Sequence, residues 1–417
     1  MMNYSQAIEY IHSFKPHGAK PGLERIRALL EKLGNPQKGL LFLHVAGTNG
    51  KGSTSTMLAN ILQDSGYKVG LFTSPFIYDF RERFAINGEL ISREQLAELT
   101  QRVKDAAEGI ENLTEFEIVT AIGMLYFRES GCDITVLEVG LGGRFDATNV
   151  IEKPLASIIC TISLDHTEYL GETVEQIAFE KAGIIKEGCP VVLYNNNPPE
   201  AVDVIRKRCT ERNAPLSIGG QALPLPANEN GNRFRYEGKE YCLRLQGPHQ
   251  INNAVTVLET LKTLPFSVSE EAVRKGLSRA GIPARLECIH KKPYIYIDGG
   301  HNKEGIDCLL QAMDTIDDLK DPVIIFGMMK DKPYQYAVRQ LALRARAFIT
   351  VQPPLPRAMT AYDLKNMAEL FCDDCTACSS YTEAAILAKE KGGTILVAGS
   401  LYMAGDMTNE LKKLFPN

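Results

Sequence analysis

Residues 44–54 read HVAGTNGKGST, and they close an apolar run, LLFLHV, at residues 40–45. A short continuous apolar run is the signature of a strand buried on both faces of a parallel sheet. A glycine-rich turn follows, and then a helical pattern from Ser53 to about Asp64. Strand, turn and helix in that order suggest a phosphate-binding loop, yet the usual G-x-x-x-x-G-K-[ST] spacing fails. Val45 stands where the first glycine belongs, and Gly52 where the hydroxyl residue belongs. The physics survives the mismatch. Gly47, Gly50 and Gly52 let backbone amides turn inward, Lys51 adds a positive charge, and Ser53 and Thr54 open a helix whose dipole favours an anion. The lysine set between glycines favours a phosphate site over a plain glycine-rich turn.

Outward from this loop, strands and helices alternate. YKVGLFTS (67–74), CDITVLEVG (132–140) and LASIICTIS (155–163) read as further strands. Ser92 with Gln95, Thr114 with Glu117 and Thr173 with Gln176 have the spacing of capping boxes at helix starts. Such alternation predicts βαβ units around a parallel sheet. Between about 213 and 245 the chain turns to Pro, Asn, Gly and alternating aromatics, which predicts small antiparallel strands beside the main sheet. RAGIPARLECIHKKP (279–293) reads as a basic, Gly/Pro-punctuated linker. A second α/β series follows: YIYID, a helix from about 303, VIIFGM, a helix from 334, AFITVQ and TILVAG. The expected division is 1–285 and 286–417, in keeping with the two or three domains that 417 residues suggest at roughly 150 each.

Bulk properties narrow the function. A net charge of −5 argues against nucleic acid as the main partner. No apolar run approaches the roughly 20 residues of a membrane helix. The start of the chain, with Glu9 early and no long apolar stretch, is not that of a signal peptide. Ten scattered cysteines suit reduced thiols and a cytoplasmic location. Cys372, Cys375 and Cys378 have iron–sulfur-like spacing, but Thr382 stands where a fourth cysteine belongs, so they read as a cysteine-bearing loop or helix end.

Charged residues gather at predicted strand ends, where open α/β sheets bind ligands. Glu138 ends one strand and opens a flexible loop with Arg144 and Asp146; Asp165 and His166 follow another; Asp298 and His301 follow the first strand of the second series. Lys181 lies late in a helix, where a solvated lysine is the ordinary outcome, and a lone histidine such as His166 is more often structural than a ligand. Taken together, these residues point to a magnesium–nucleotide site between two domains, because Mg²⁺ takes hard oxygen ligands and shares phosphate oxygens. Glu138 and serine hydroxyls suit that ion, while His166 would be a less usual ligand.

GTNGKGST, EVGLGGRFDATN, DHTEYLG with EKAGIIK, GPHQINNA, ARLE, DGGHN, DKPY and GSLY occur in the order found in folylpolyglutamate synthases and bifunctional dihydrofolate synthases of the Mur-ligase superfamily, which the chain resembles almost end to end. The opening AKPGLERIRALLEKLGNP is similar too. The resemblance implies a two-domain α/β fold: an N-terminal P-loop ATPase domain with a parallel-sheet core and a small antiparallel sheet, and a C-terminal Rossmann-like glutamate-ligase domain. It implies that Asn49, Gly50, Lys51, Gly52, Ser53 and Thr54 cradle ATP, and that Asn253, Arg285 and Asp298 complete the nucleotide site. Ser53, Ser74, Glu138 and His166 would hold Mg²⁺, joined by Lys181 if it carries a carbamate. Lys51, Lys181, His166 and His301 are the implied catalytic residues. Thr114, Phe116, Glu117, Arg144, Phe145 and Asp146 would receive the folate or pteroate, although a core position is the commoner fate of Phe116 and Phe145. The chain departs from the family at Ala284, where glycine is frequent, at Arg81, where asparagine is frequent, and at Gly300, where alanine is common.

The implied reaction joins L-glutamate to a folate or dihydropteroate carboxylate in a monomeric enzyme. A carboxylate resists amines, and transfer of the ATP γ-phosphoryl group to it creates an acyl phosphate that glutamate can attack. Three other readings differ in testable ways. A Mur-superfamily ligase of wall synthesis would carry an additional N-terminal domain, whereas the phosphate loop here starts by residue 47. A P-loop kinase of a small metabolite would release no phosphate with glutamate, and a nucleotide-sensing module would turn nothing over.

Overall fold

The computed structural model describes residues 2–14, 21–228 and 231–416. Ala19 and Lys20 of the family-like opening, and Glu229 and Asn230 of the expected small strands, lie outside the described residues. The chain forms two compact units. The first takes residues up to Leu225 together with Arg233–Leu243 and Ile251–Ala280, and the second takes Pro226–Asn232, Arg244–Gln250 and everything from Gly281. Arg285, placed by the sequence at the end of the first domain, thus packs with the second unit.

The first unit is built on strands β1 (Leu41–Ala46), β2 (Val69–Phe72), β3 (Phe84–Ile86), β4 (Glu89–Leu90), β5 (Ile134–Glu138), β6 (Ala156–Ile159), β7 (Val191–Leu193) and β8 (Leu216–Ile218). Their order is β4–β3–β2–β5–β1–β6–β7–β8, parallel from β2 to β8. The β1 strand is buried from Phe42 to Ala46, as its apolar run requires. The expected parallel core is present, with an antiparallel edge in addition to the expected strands. That edge is a hairpin of β3 and β4, turned at Asn87 and Gly88, both at positive φ (49° and 81°). An Asn-Gly pair is a strong signal for such a turn, because both central residues must adopt the left-handed region. A three-stranded sheet, β9 (Leu223–Asn228), β10 (Gly231–Tyr236) and β11 (Lys239–Leu243), occupies the Pro/Asn/Gly-rich region, in the order β11–β10–β9.

The second unit holds β12 (Glu287–Lys291), β13 (Tyr294–Ile297), β14 (Val323–Phe326), β15 (Ala347–Thr350), β16 (Cys375–Ala377) and β17 (Ile395–Ala398), ordered β12–β13–β17–β14–β15–β16. All pairs are parallel except β12–β13. The segment read as a linker therefore contains an edge strand. Its burial is partial and it carries Glu287 and Lys291 at its two ends, which suits an edge that must resist pairing with other chains. Cys375 opens β16, and its thiol donates to the Cys372 carbonyl at 3.1 Å.

Helix starts follow the sequence. Thr114 with Glu117 and Thr173 with Gln176 form complete capping boxes, whereas Ser92 accepts from the Gln95 amide alone. Among the described residues no helix is long and apolar enough to cross a membrane.

The phosphate-loop helix, Lys51–Asp64, is clamped by the helix Glu270–Arg279. Arg279 donates to Asp64 at 2.9 Å, to the Asn60 carbonyl at 3.0 Å and to Gln63 at 2.8 Å. The two helices meet at Gly276, where an added Cβ would lie 2.7 Å from the Ile61 backbone. Gly276→Ala gains about 1 kcal/mol of helix propensity, but overpacking against rigid backbone costs about 1–3 kcal/mol. We expect net destabilisation, read as a lower urea midpoint with an unchanged slope.

Candidate active site

Three parallel strands deliver the site. Val45 of β1 pairs with Glu138 of β5, and Ala46 of β1 pairs with Ile159 of β6, so the loops after all three leave the same edge. The chain runs from β1 to one side of the sheet and later crosses to the other. The carboxyl end of such a switch point is where open α/β sheets bind ligands.

The loop after β1 is stapled to the segment after β6. The Thr48 amide donates to the Thr161 carbonyl at 2.6 Å, and the Asn49 amide donates to the Thr161 hydroxyl at 3.1 Å. The Thr48 hydroxyl donates to the Ser163 carbonyl and accepts from its amide, each at 3.1 Å. Gly50 lies at φ 84° as the N-cap of the helix, and an added Cβ would be 2.6 Å from the Asn253 side-chain oxygen. Lys51 folds back over the loop and donates to the Gly47 and Thr48 carbonyls at 3.0 and 3.2 Å. Ser53, Thr54 and Asn253 are buried.

Glu138 is 3% exposed, and its Oε2 accepts from the Ser74 amide at 3.2 Å. The same oxygen lies 3.9 Å from the position a Cβ on Gly52 would take, which puts the carboxylate beside the phosphate loop. Lys181 is also 3% exposed, at the end of the helix Val174–Lys181. The solvated lysine that sequence position alone suggests is thus replaced by a buried one. Cys160 lies under the loop, its thiol donating to the Thr54 hydroxyl at 3.4 Å. Burial pushes that thiol up to about 11, and the charges of Lys51, Glu138 and Lys181 all act on it. Three charged residues singled out from separate segments are thus all felt by one buried thiol.

His166 stands apart in character. It adopts φ 50°, its side chain is 42% exposed, and its Nε2 lies 3.9 Å from Asp165. Among the described residues no three His, Cys, Asp or Glu side chains converge as a ready-made metal cage.

The loop after Glu138 turns Phe145 outward, at 41% exposed. The Arg144 guanidinium lies over the rings of Phe145 (4.2 Å) and Phe179 (5.1 Å), with Glu180 at 3.7 Å. Burial pushes the Glu180 carboxyl up, and Arg144 draws it down. Asp146, by contrast, is 7% exposed and accepts from the Leu141 and Thr148 amides at 2.9 and 3.0 Å. Burial raises its carboxyl, against the pull of those donors. Phe116 is half-buried, edge-on to Phe72 at 6.0 Å, and its ring tip abuts Gly140. Thr114 and Glu117 cap their helix, and Glu117 pairs with Arg25 at 3.2 Å. Arg81, the residue that departs from the family, binds Asp79 within its own turn, at 2.7 Å at the closest.

In the second unit, Asp298 accepts from the Gly300 amide at 2.8 Å and the Leu286 amide at 3.0 Å. Burial pushes its carboxyl up and Arg285 draws it down. Ala284 sits at φ 52°, a left-handed conformation that glycine takes without strain. The His301 Nδ1 lies 3.1 Å from the Gly299 carbonyl and donates to it. His249, in the GPHQINNA stretch, had no role assigned from sequence. Burial and the neighbouring Arg285 hold it down at about 4.

Sequence reasoning missed Thr48, Thr161, Cys160, His44 and Thr148. His44 lies three residues before Gly47, fully buried, with Nε2 2.9 Å from the Thr148 hydroxyl. Burial, with Lys186 second, holds it down at about 3 from an ordinary 6.5. The unfolded chain takes this proton near pH 6.5 and the folded chain only near 3, so the associated stability is complete above 6.5 and falls as pH drops. The slope is up to about 1.4 kcal/mol per pH unit. His44→Gln should flatten the dependence of unfolding free energy on pH by about one proton over this window, measured by urea titrations at stepped pH.

The family model "Mur ligase middle domain" matches residues 45–261, and "Mur ligase, glutamate ligase domain" matches residues 284–401. The chain is 38% identical to the dihydrofolate synthase/folylpolyglutamate synthase of Bacillus subtilis, over 98% of this chain and 99% of that one. It superposes on the crystal structure of a folylpolyglutamate synthase from Thermotoga maritima with a TM-score of 0.87 and 34% identity, covering 99% and 98% of the two chains. E. coli FolC, solved in complex with DHPP and ADP, gives a TM-score of 0.87 and 27% identity, again over 99% and 98%.

Proposed function

This chain belongs to the Mur ligase family, among the folylpolyglutamate and dihydrofolate synthases, and we propose how its residues perform the ATP-dependent addition of L-glutamate to a folate carboxylate. The observation that carries the reading is the glycine turn with Lys51 folded over it and the buried Glu138 carboxylate beside Gly52, at the edge where β5, β1 and β6 end. Asn49, Gly50, Lys51, Gly52, Ser53 and Thr54 hold the ATP phosphates, with Asn253 packed against Gly50. On phosphate binding, Lys51 exchanges its two loop carbonyls for phosphate oxygens and neutralises charge that spreads in the transition state. The product of that transfer is an acyl phosphate, which the glutamate amine converts to an amide with release of ADP and phosphate.

The donor set beside the loop fits a magnesium ion: a buried carboxylate on Glu138, backed by a serine amide, and the buried Ser53 at the helix start. Ser53, Ser74, Glu138 and His166 would hold it, and when bound it supplies Lewis-acid neutralisation of phosphate oxygens. Burial of Lys181 favours the carbamate, because a carbamate replaces a buried cation with an anion able to assist the metal. Arg144 and Phe145 receive the acceptor substrate with Thr114, Phe116, Glu117 and Asp146, the last three largely by shaping the surrounding wall. Arg285, Asp298 and His301 belong to the unit from Gly281 onward, and their nucleotide roles rest on the resemblance. We further assign 1–285 to ATP binding and 286–417 to glutamate ligation, in a cytoplasmic monomer that takes both dihydropteroate and reduced folate.

The test is phosphate release with dihydropteroate and, separately, tetrahydrofolate, each with and without L-glutamate. Release that requires both acceptor and glutamate is expected, and Lys51→Ala should slow it by more than about 10²-fold. Phosphorylation of an acceptor without glutamate-dependent phosphate release would instead point to a kinase.

Lys181→Ala should lose activity and regain part of it with added short carboxylic acids, which can replace the carbamate. Full activity without additive would remove the carbamate from the site.

A further inference from the structure

The loop after Glu138 presents Arg144 and Phe145, and a buried set of hydrogen bonds holds it from behind. Asp146 Oδ2 accepts the Leu141 amide, and Oδ1 accepts both the Thr148 amide and the Thr148 hydroxyl. A hydroxyl has one proton to give. With that proton directed at Asp146, the Thr148 oxygen can only accept from His44, whose Nε2 lies 2.9 Å away. The imidazole is then the Nε2–H tautomer, with Nδ1 bare. Nδ1 is indeed buried with no hydrogen-bond partner among the described residues, and His44 is fully enclosed. A second brace meets the same loop: Asn149 donates to the Arg144 carbonyl at 3.0 Å and the Gly183 carbonyl at 3.1 Å, and Lys186 donates to the Asn149 carbonyl at 3.3 Å.

We propose that His44 and Thr148 are positioning residues for the acceptor substrate: by donating in series to Asp146 they fix the loop that offers Arg144 and Phe145 to the flat pteroyl group. This rests on the acceptor role given to that loop above. His44 reaches the loop from β1, the strand that also launches the phosphate loop, but its hydrogen bond runs to Thr148 and not to the nucleotide side. Losing the series should therefore weaken acceptor binding and leave ATP binding in place.

The variant Thr148→Val removes the hydroxyl and keeps the shape. A buried hydrogen bond to a charged group is worth enough to change binding by about tenfold or more. The KM for the pteroyl or folyl acceptor should rise by about tenfold, with the KM for ATP within about twofold of the unsubstituted enzyme, and Thr148→Ser should restore the acceptor KM. Equal rises in both KM values, or an unchanged acceptor KM in a folded Thr148→Val, would overturn the proposal. Should Thr148→Val fail to fold, imidazole nitrogen NMR on the unsubstituted protein decides, with the His44 signal identified by its loss in His44→Gln. The Nε2–H tautomer at neutral pH supports the series, and an Nδ1–H tautomer overturns it. Absence of acceptor-dependent turnover in the unsubstituted enzyme would instead strike the assigned function, while the tautomer would still decide whether the series exists.

Discussion

The pairing of β1 with β5 on one side and β6 on the other is the constraint from which the first unit's chemistry follows. Parallel strands send their connections out at a common edge, so register decides which residues meet there. Val45 opposite Glu138 and Ala46 opposite Ile159 put the glycine turn, the Glu138 loop and the Thr161–Ser163 segment level with one another. A shift of one residue would turn Glu138 to the other face of the sheet, away from Gly52. The staples from Thr48 and Asn49 to Thr161 and Ser163 hold this level arrangement after the strands end.

Charge burial explains why the arrangement is tightly braced. Glu138 and Lys181 are each only 3% exposed, and a lone buried charge is costly. The Ser74 amide supplies Glu138 with a donor that offsets part of that cost. Lys51 answers the problem differently. It is held by two carbonyls of its own loop, neutral acceptors that a phosphate can displace. Glu138 and Lys181 are thus enclosed by the fold, while Lys51 is held by neutral acceptors that a charged ligand can replace.

Much of this was legible in the sequence because it is periodic or local. Strand–turn–helix around Lys51, the alternation of the remaining elements and Glu138 at a strand end all leave one-dimensional traces. So do the capping boxes at Thr114 and Thr173; Ser92 forms only half of one because the Gln95 side chain does not reach back. What stayed hidden depends on the third dimension or on exceptions to pattern. β12 is short, polar at both ends and half-buried, so it reads as linker although charged residues are common on an edge strand. The Asn87–Gly88 turn was readable in principle, but the strands it joins are three and two residues long. Burial of Lys181 cannot be seen from its place late in a helix. Asp146 reads as a ligand residue from its place in the loop after Glu138 and from the resemblance; that its carboxylate also accepts the Leu141 and Thr148 amides leaves no trace in residue spacing.

The alternation of side chains along β1 joins the two halves of the reaction. Successive residues of a strand point to opposite faces, so His44 and Val45 serve different surroundings: His44 reaches Thr148 and through it Asp146, and the strand then runs on into the glycine turn. On the roles proposed above, one strand therefore contacts both the loop for the phosphoryl donor and the loop for its acceptor. Phosphoryl transfer depends on holding two reactants in register to within a fraction of an ångström, and misplacement of about 1 Å can lower rate by about 10²-fold. Two loops fixed to separate, independently moving elements would have to be aligned anew at each encounter. Two loops that leave the paired strands β1 and β5, one of them tied back to β1 through His44, inherit their alignment from the sheet. This is a physical reason for a histidine, held uncharged by burial, at a position where an aliphatic residue would pack as well and donate nothing.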